Sequence, residues 1–393
     1  MRNPWLICFL LHLTGCHLVL GLEETTKSEP SSEERGVSDV ALGENHGCAI
    51  WNARVYCWGD NTFGQLGVGG TEASLAPQAL ALDGSWSGVA AGTHHSCALD
   101  ERGRVACWGS NDRGQLGTGD RDPRDVPEFV DLPERARFVT THFSHTCALL
   151  EDSTLHCWGK NDEGELGQHD ELYGEDPTVA DALGPVAVPG SFRAVDAGQG
   201  HTCAIRDDGA LFGWGRNSEH ELGEAAGLQI RVPIQIGSDD DWLAVEAGQD
   251  HTCALRGDLS AHCWGYNTAF EENEGAPLGI AGATLVTSPR RLPNAGNFTE
   301  LRSDTFHTCA IDVDTGLSCW GRNVEGQLGV GDRELRAEPV LVSHGYVGVA
   351  VGRFSTCAIG QDATLGCAGK NDVGQLGTGD IEDRERLTPV TFE

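Results

Sequence analysis

Methionine occurs once in the 393 residues, tyrosine four times, and the 27 basic side chains are outnumbered by 59 acidic ones. So little methionine, beside 53 glycines and 10 tryptophans, argues against long helices and for many short strands joined by turns. A formal net charge of −32 excludes nucleic acid as a partner, because the phosphate chain would be repelled. It equally excludes docking of the folded chain on an anionic membrane surface, and favours a protein partner with a basic or neutral surface. No Lys-Ser/Thr follows the glycine-rich turns, so they are not phosphate loops. No twelve-residue calcium loop occurs, and no nucleophile motif or isolated carboxylate pair stands out against the general acidity. No metal or other cofactor is expected, and the chain does not read as an enzyme.

The long apolar run lies at the start, in "MRNPWLICFLLHLTGCHLVLGLEE". It is too short and too weakly flanked for a spanning helix, and Arg2 ahead of it marks residues 1–21 as a secretory signal. Leu13-Thr14-Gly15-Cys16 resembles a bacterial lipobox, in which Cys16 becomes the lipid-modified first residue. Cleavage after Gly21, with Val19 at the −3 position, is the alternative. Either route takes the protein out of the cytosol, to the cell envelope on a lipid or into the medium. Membrane contact is expected only through a lipid on Cys16. Residues 22–36, with the acidic "EETTKSEPSSEER", have no apolar periodicity and are expected to be a disordered tether.

From residue 37 one unit recurs. Aligned on its first cysteine it gives Cys48, Cys97, Cys147, Cys203, Cys253, Cys309 and Cys357, at intervals of 49, 50, 56, 50, 56 and 48 residues. Seven units of about this length, each with four short strands, predict an all-β, seven-bladed β-propeller over residues 37–393. In "CALDERGRVACWGSNDRGQLG", Cys97 and Leu99 alternate onto one face. Val105 and Cys107 return beside them around the Glu101-Arg102-Gly103 loop. Cys97 then faces Cys107 across an antiparallel pair, within disulfide reach. The same arithmetic pairs Cys48 with Cys57, Cys147 with Cys157, Cys253 with Cys263, Cys309 with Cys319 and Cys357 with Cys367. Cys203 faces Gly213 and is left over, as a free thiol or an intermolecular bridge. In an exported chain such pairs are disulfides.

Two further positions recur. His46, His95, His145, His201, His251 and His307 each precede the cysteine by two residues, with Ser355 in the seventh unit. Spread over successive blades they would form a wide ring and not a metal site, so each is expected to satisfy a backbone group in an inter-blade turn. Trp58, Trp108, Trp158, Trp214, Trp264 and Trp320 follow the hairpins and are expected to pack between blades. Ala368 stands in the seventh place and predicts a looser joint. Trp86, Phe192, Trp242, Phe298 and Tyr346 share another position and are expected to be core.

These units resemble the regulator-of-chromosome-condensation repeat family, in a variant like its exported, cysteine-rich bacterial members. The resemblance covers residues 37–393 and implies a seven-bladed propeller. Proline-started strands, "APQALAL", "VPEFVDL", "DPTVADA", "VPIQIGS", "SPRRLPN" and "EPVLVSH", open the units, and a seventh, "TPVTFE", ends the chain. The C-terminal strand is therefore expected to join the N-terminal blade begun by Val37–Cys57 and so close the ring.

Family members include a nuclear guanine-nucleotide exchange factor, ubiquitin-ligase modules, photoreceptors and a secreted β-lactamase inhibitor. Exchange on a nuclear GTPase does not fit an exported protein. The resemblance implies a monomeric protein–protein interaction scaffold that displays its loops, in the cell envelope or secreted. The alternative is a secreted inhibitor of an extracellular enzyme, like the β-lactamase inhibitor. Less favoured is an envelope hydrolase or lyase with its site at the propeller axis. Function is expected where the repeat is broken: at the insertion Thr268–Ser288 with Phe270, Glu271, Glu272 and Glu274, at a smaller insertion Asp181–Gly190, and at Trp51. That tryptophan sits near a hairpin tip and is expected to face solvent as a contact anchor. Asp120, Asp122, Asp332, Asp380, Glu382 and Asp383 form acidic loops, expected to be a solvated rim.

Overall fold

The computed structural model describes residues 36–168, 181–225, 227–267, 275–293 and 295–393. They form seven four-stranded antiparallel sheets, each drawn from one continuous stretch of chain. The inner strands are Val37–Leu42, Trp86–Ala91, Ala136–His142, Phe192–Ala197, Trp242–Ala247, Phe298–Ser303 and Tyr346–Val351. Each packs on the next around an axis, and the last packs on the first. Along each blade the chain then steps outwards through two middle strands, both cysteine-bearing except in the fourth blade, to an outer strand.

The C-terminal strand Arg384–Val390 does not join the first blade, as expected from the sequence. It pairs with Leu365–Gly369 and completes the seventh, while the first blade takes its fourth strand from Ser74–Ala79. The proline strands thus close units and do not open them. Pro77, Pro127, Pro185, Pro233, Pro289, Pro339 and Pro389 all lie in outer strands, where the unpaired flank needs no amide N–H. In the third blade this strand is Ala182–Val188, so Asp181–Gly190 is part of the blade and not an insertion.

The ring closes by packing. Gly36, the last residue of the expected tether, donates its N–H to Asn52 Oδ1 (2.9 Å), and Val37 N–H donates to Ala363 O (2.9 Å). Just past the last strand, Phe392 reaches the first blade: its ring stacks on Trp51 at 5.8 Å and meets Tyr56 edge-on at 5.5 Å. Trp51 is accordingly half-buried and not the exposed anchor expected.

All six cysteine pairs are disulfides, each with a Cα–Cα distance of 4.1 Å. Cys203 lies opposite Gly213, free and fully buried, which rules out the intermolecular bridge. A Cβ on Gly213 would come within 2.7 Å of Leu222 Cδ2 and 2.9 Å of Ile236 Cδ1. The space a second cysteine would need is filled by aliphatic packing.

Adjacent blades share buried polar contacts. The indole N–H of Trp108 donates to Gln65 O (2.8 Å), and Ser96 Oγ donates to the same oxygen (2.9 Å). His46 Nε2 lies 2.8 Å from Ser96 Oγ. Because the hydroxyl proton is committed to the carbonyl, the ring donates from Nε2, and burial, which lowers its pKa, makes it the neutral Nε2–H tautomer. His95, His145 and His201 repeat this with Thr146, Thr202 and Thr252, each at 3.0 Å. The partner is thus a hydroxyl of the next blade and not the backbone group expected. Burial holds His46, His251 and His307 down to about 4. At the joint where Ala368 replaces tryptophan, Leu387 and Val342 approach Gly329, so the space is filled by aliphatic side chains.

Alkylation followed by peptide mapping should label Cys203 only after denaturation, and the other twelve propeller cysteines only after reduction as well. Gly213→Cys should lower stability by roughly 1–3 kcal/mol through overpacking, read by thermal denaturation, without forming a seventh bridge.

Candidate functional site

The inner strands follow a pattern of valine, a small residue, a second small residue and glycine, as in Val89-Ala90-Ala91-Gly92 and Val349-Ala350-Val351-Gly352. Five blades break it with polar groups. Asp39 precedes the valine of the first blade, and Glu300 precedes the equivalent leucine of the sixth. Thr140, Asp196, Glu246 and Arg302 take the first small position, and His142 and Asp304 take the glycine. Strand alternation and ring geometry bring all eight to one axial channel of about 170 Å³. A mouth beside it is lined by Glu44, Gln199, Gln249, Asp304, Thr305 and Arg353, among others.

Several of these groups tie neighbouring inner strands together. Val89 N–H donates to Asp39 Oδ2 (2.9 Å). Ala247 N–H donates to Asp196 Oδ2 (2.7 Å), whose Oδ1 accepts from Thr140 (2.8 Å). Arg302 bonds Glu246 Oε1 (2.8 Å) and pairs with Glu300 Oε1 (3.2 Å). His142 Nε2 lies 3.5 Å from Asp304 Oδ1, and this pair joins the third blade to the sixth across the axis.

Burial dominates the protonation of the channel. It raises Asp39 and Glu300 to about 7 and Glu246 well above the usual carboxylate range, with Arg302 pulling back on all three. Asp304 goes the other way. Burial would raise it, but the His142 charge and hydrogen bonds from His142 and Thr305 together hold it down to about 2. His142 is raised in turn, Asp304 outweighing burial.

Around the mouth, Phe306 and Phe354 stack at 5.5 Å. The Arg322 guanidinium lies 5.1 Å from the Phe306 centroid, Arg353 5.2 Å from Phe354, and the Lys370 ammonium 5.5 Å from Phe354. Arg353 also pairs with Glu44 of the first blade. This is a compact aromatic and cationic patch on a strongly acidic protein.

The expected candidates fare differently. The six disulfide pairs meet as paired. Cys16, Phe270, Glu271, Glu272 and Glu274 lie outside the described residues. The acidic loops serve themselves: Asp120, Asp332 and Asp380 each pair with an arginine four residues on, Arg124, Arg336 and Arg384. Cys203 is buried, and desolvation raises its thiol well above the usual range. Asp258, Ser260 and His262 come together, but Ser260 Oγ donates to Asp258, so the hydroxyl is not aligned for a histidine base. The channel set was missed at the level of sequence. Its signal was available as seven polar residues plus Thr140 in places where other blades carry alanine or glycine.

Sequence patterns for the Regulator of chromosome condensation (RCC1) repeat match residues 52–99, 102–149, 208–255 and 317–359, and a second pattern for that repeat matches 37–65, 86–115, 143–165 and 192–221. The Ultraviolet-B receptor UVR8 of Arabidopsis thaliana is 28% identical over 311 residues, which are 78% of this chain and 58% of that protein. The chain therefore matches little more than half the length of this relative. Human WBSCR16 superposes with a TM-score of 0.75 at 21% identity, over 86% of this chain and 94% of that one. Prp20p from Saccharomyces cerevisiae, described with its binding to Gsp1p and histones, gives 0.74 at 20% identity, over 92% and 87%. At such identities the structural likeness is one of fold.

Replacing Asp39 by Asn keeps an acceptor for Val89 but removes the titration. A carboxyl raised on folding stabilises fully below its unfolded pKa and loses that contribution as pH rises to its folded value. Asp39→Asn should therefore gain on the wild type by roughly 1.4 kcal/mol per pH unit between about pH 4 and 7, and no further above, measured by denaturant unfolding at each pH.

Proposed function

The chain belongs to the regulator of chromosome condensation repeat family, and from that membership we propose that it is an exported binding scaffold holding a protein partner over the channel mouth. The observation that carries this reading is the patch of Phe306, Phe354, Arg322, Arg353 and Lys370. Aromatic rings and arginines dominate the energetics of protein interfaces, and here both are supplied by the sixth and seventh blades at one rim. Prp20p, a propeller of the same fold, is described as binding Gsp1p and histones, which supports protein recognition as the use of the scaffold.

Export is supported by the disulfides. Six bridges closing short hairpins persist in an oxidising compartment and not in a reducing one. A lipid on Cys16 would hold the propeller at the envelope; cleavage after Gly21 would release it. The net charge of −32 steers a basic or neutral partner at long range. Within a Debye length of about 8 Å the rim patch decides the contact. No step of bond chemistry follows from this arrangement, and the reading is of a binding protein.

Affinity capture with the full chain from extracellular and envelope fractions should recover a discrete partner. The double variant Arg353→Ala and Phe354→Ala should weaken that complex by about thirtyfold, as loss of a hot spot of about 2 kcal/mol does. Undiminished binding by a folded double variant would place the interface elsewhere.

A further inference from the structure

Seven turns join the inner strands to the strands behind them and rim the channel mouth. Six span three residues; that of the third blade spans two, Phe143-Ser144, because its inner strand runs one residue further, through His142. Five blades carry glycine at the position of His142: Gly43, Gly92, Gly198, Gly248 and Gly352. The two departures are a base and an acid, His142 and Asp304, and they meet across the axis at 3.5 Å. They are the two titratable side chains that line both channel and mouth, so their pair stands at the boundary between the two.

The turn of the third blade is also the strained one. Phe143 has a φ of +36° and is the one residue of the seven mouth turns in the left-handed region. A bulky side chain rarely adopts that conformation, and it persists only where its surroundings impose it. Two contacts impose it here. Thr93 N–H of the second blade donates to Phe143 O (3.3 Å), and Asp304 holds the imidazole of the preceding residue. His142 Nδ1 is buried with no hydrogen-bond partner among the described residues, so the ring is anchored through Nε2.

The charge on His142 is set by what packs around it. Burial opposes the imidazolium, Asp304 and then Asp196 favour it, Arg353 opposes it, and the balance raises His142. His95, His145, His201 and His251 sense the same charge, but burial holds each well below its ordinary value, so they stay neutral where His142 is charged. Asp39, Glu246, Glu300 and Arg302 also line the channel, and Glu44 lines the mouth.

From this geometry we infer that His142 and Asp304 form a proton-dependent latch across the channel mouth, which holds the Phe143 turn in place while His142 is charged and frees it when that proton passes to solvent. A histidine raised on folding gives its full stabilisation below its unfolded pKa of about 6.5, and loses it as pH rises through the folded value. Asp304, held down to about 2, stays ionised throughout. The latch is therefore closed at mildly acidic pH and released on the alkaline side. It belongs to the free chain and does not depend on a partner at the rim.

Titration of the histidines of the full chain by NMR, with amide hydrogen exchange at each pH, tests this. His142 should titrate above about 6.5, and Asp304→Asn should bring it down, since only Asp196 then offsets burial. The protection factor of the Thr93 amide, which reports the turn, should fall by up to about tenfold per pH unit as His142 loses its proton. His142→Gln keeps a donor without the charge. At about pH 6 it should already show the low Thr93 protection that the wild type reaches only at about pH 9, and should stay flat between them. The Val89 amide, bonded to Asp39, controls for the channel carboxylates and should behave alike in wild type and variant. A His142 that titrates at or below about 6.5 would overturn the inference, as would Thr93 protection indifferent to pH or to His142→Gln. If the variants fail to fold, the wild-type titration and its Thr93 profile decide.

Discussion

In five joints between blades a single carbonyl oxygen, that of Gln65, Gln115, Glu165, Glu221 or Pro277, accepts an indole N–H and a hydroxyl from the next blade. Buried polar groups must find partners, and here the requirement falls between sheets instead of within one. Both lone pairs of the oxygen are used, which fixes two neighbouring blades in rotation as well as distance. The hydroxyl can then only accept from the histidine, which fixes the tautomer. The glycine two residues after the carbonyl also follows. A Cβ on Gly67 would lie 2.7 Å from the Trp108 ring, and its φ of +68° belongs to the left-handed region, so glycine meets both demands. The repeated "CWG…GQLG" is thus one device for joining blades, written in two places.

The closing joint shows how the device is trimmed when one part is lost. Trp58 N–H still reaches Gln375 O (2.9 Å), but Gly47 stands where other blades carry a hydroxyl, and Ser355 stands where they carry histidine. Losing both together leaves no orphaned imidazole. A Cβ on Gly47 would press within 2.8 Å of the Trp58 ring, so the hydroxyl could not return without moving the indole. Phe392 supplies instead an aromatic contact with Trp51 and Trp58. The disulfides act on a different scale. Each closes a hairpin of its own blade, where loop-closure entropy gives roughly 2–3 kcal/mol, and none crosses a joint. The fourth blade shows that one can be replaced by Leu222 and Ile236 packing against Gly213.

What could be read from the chain followed its local periodicity. Opposed cysteines have a fixed index sum in a tight hairpin, so the six bridges and the orphan Cys203 were derivable without a structure. The phase of the repeat was not. A proline strand looks the same whether it begins a blade or ends one, and only the register of Arg384–Val390 on Leu365–Gly369 decides. Trp51 was misjudged for a related reason: its cover, Phe392, is more than 300 residues away in sequence and outside any repeat. The histidines could be placed on the repeat, yet their partner is a side chain of the following unit, which spacing alone does not reveal. The axial groups were hidden by dilution. Asp39, Asp196 and Glu246 are single departures in separate strands, and only closure of the ring brings them to one axis.

Closure also makes the interior asymmetric. Seven equivalent strands would offer an axial ligand seven equivalent contacts and no preferred orientation. Here the charged and polar groups come from the first, third, fourth, fifth and sixth blades, leaving the second and seventh small and apolar. The His142–Asp304 pair spans the opening from one side to the other. The aromatic and cationic patch rises on the sixth and seventh blades, beside the uncharged part of the wall. A partner approaching this face meets carboxylates towards the axis and stacked rings with cations at one sector of the rim. Such a surface permits one rotational setting out of seven. A repeat protein gains specificity in this way: the joints keep the blades alike, and a few substitutions at positions the joints do not use make the face unlike itself.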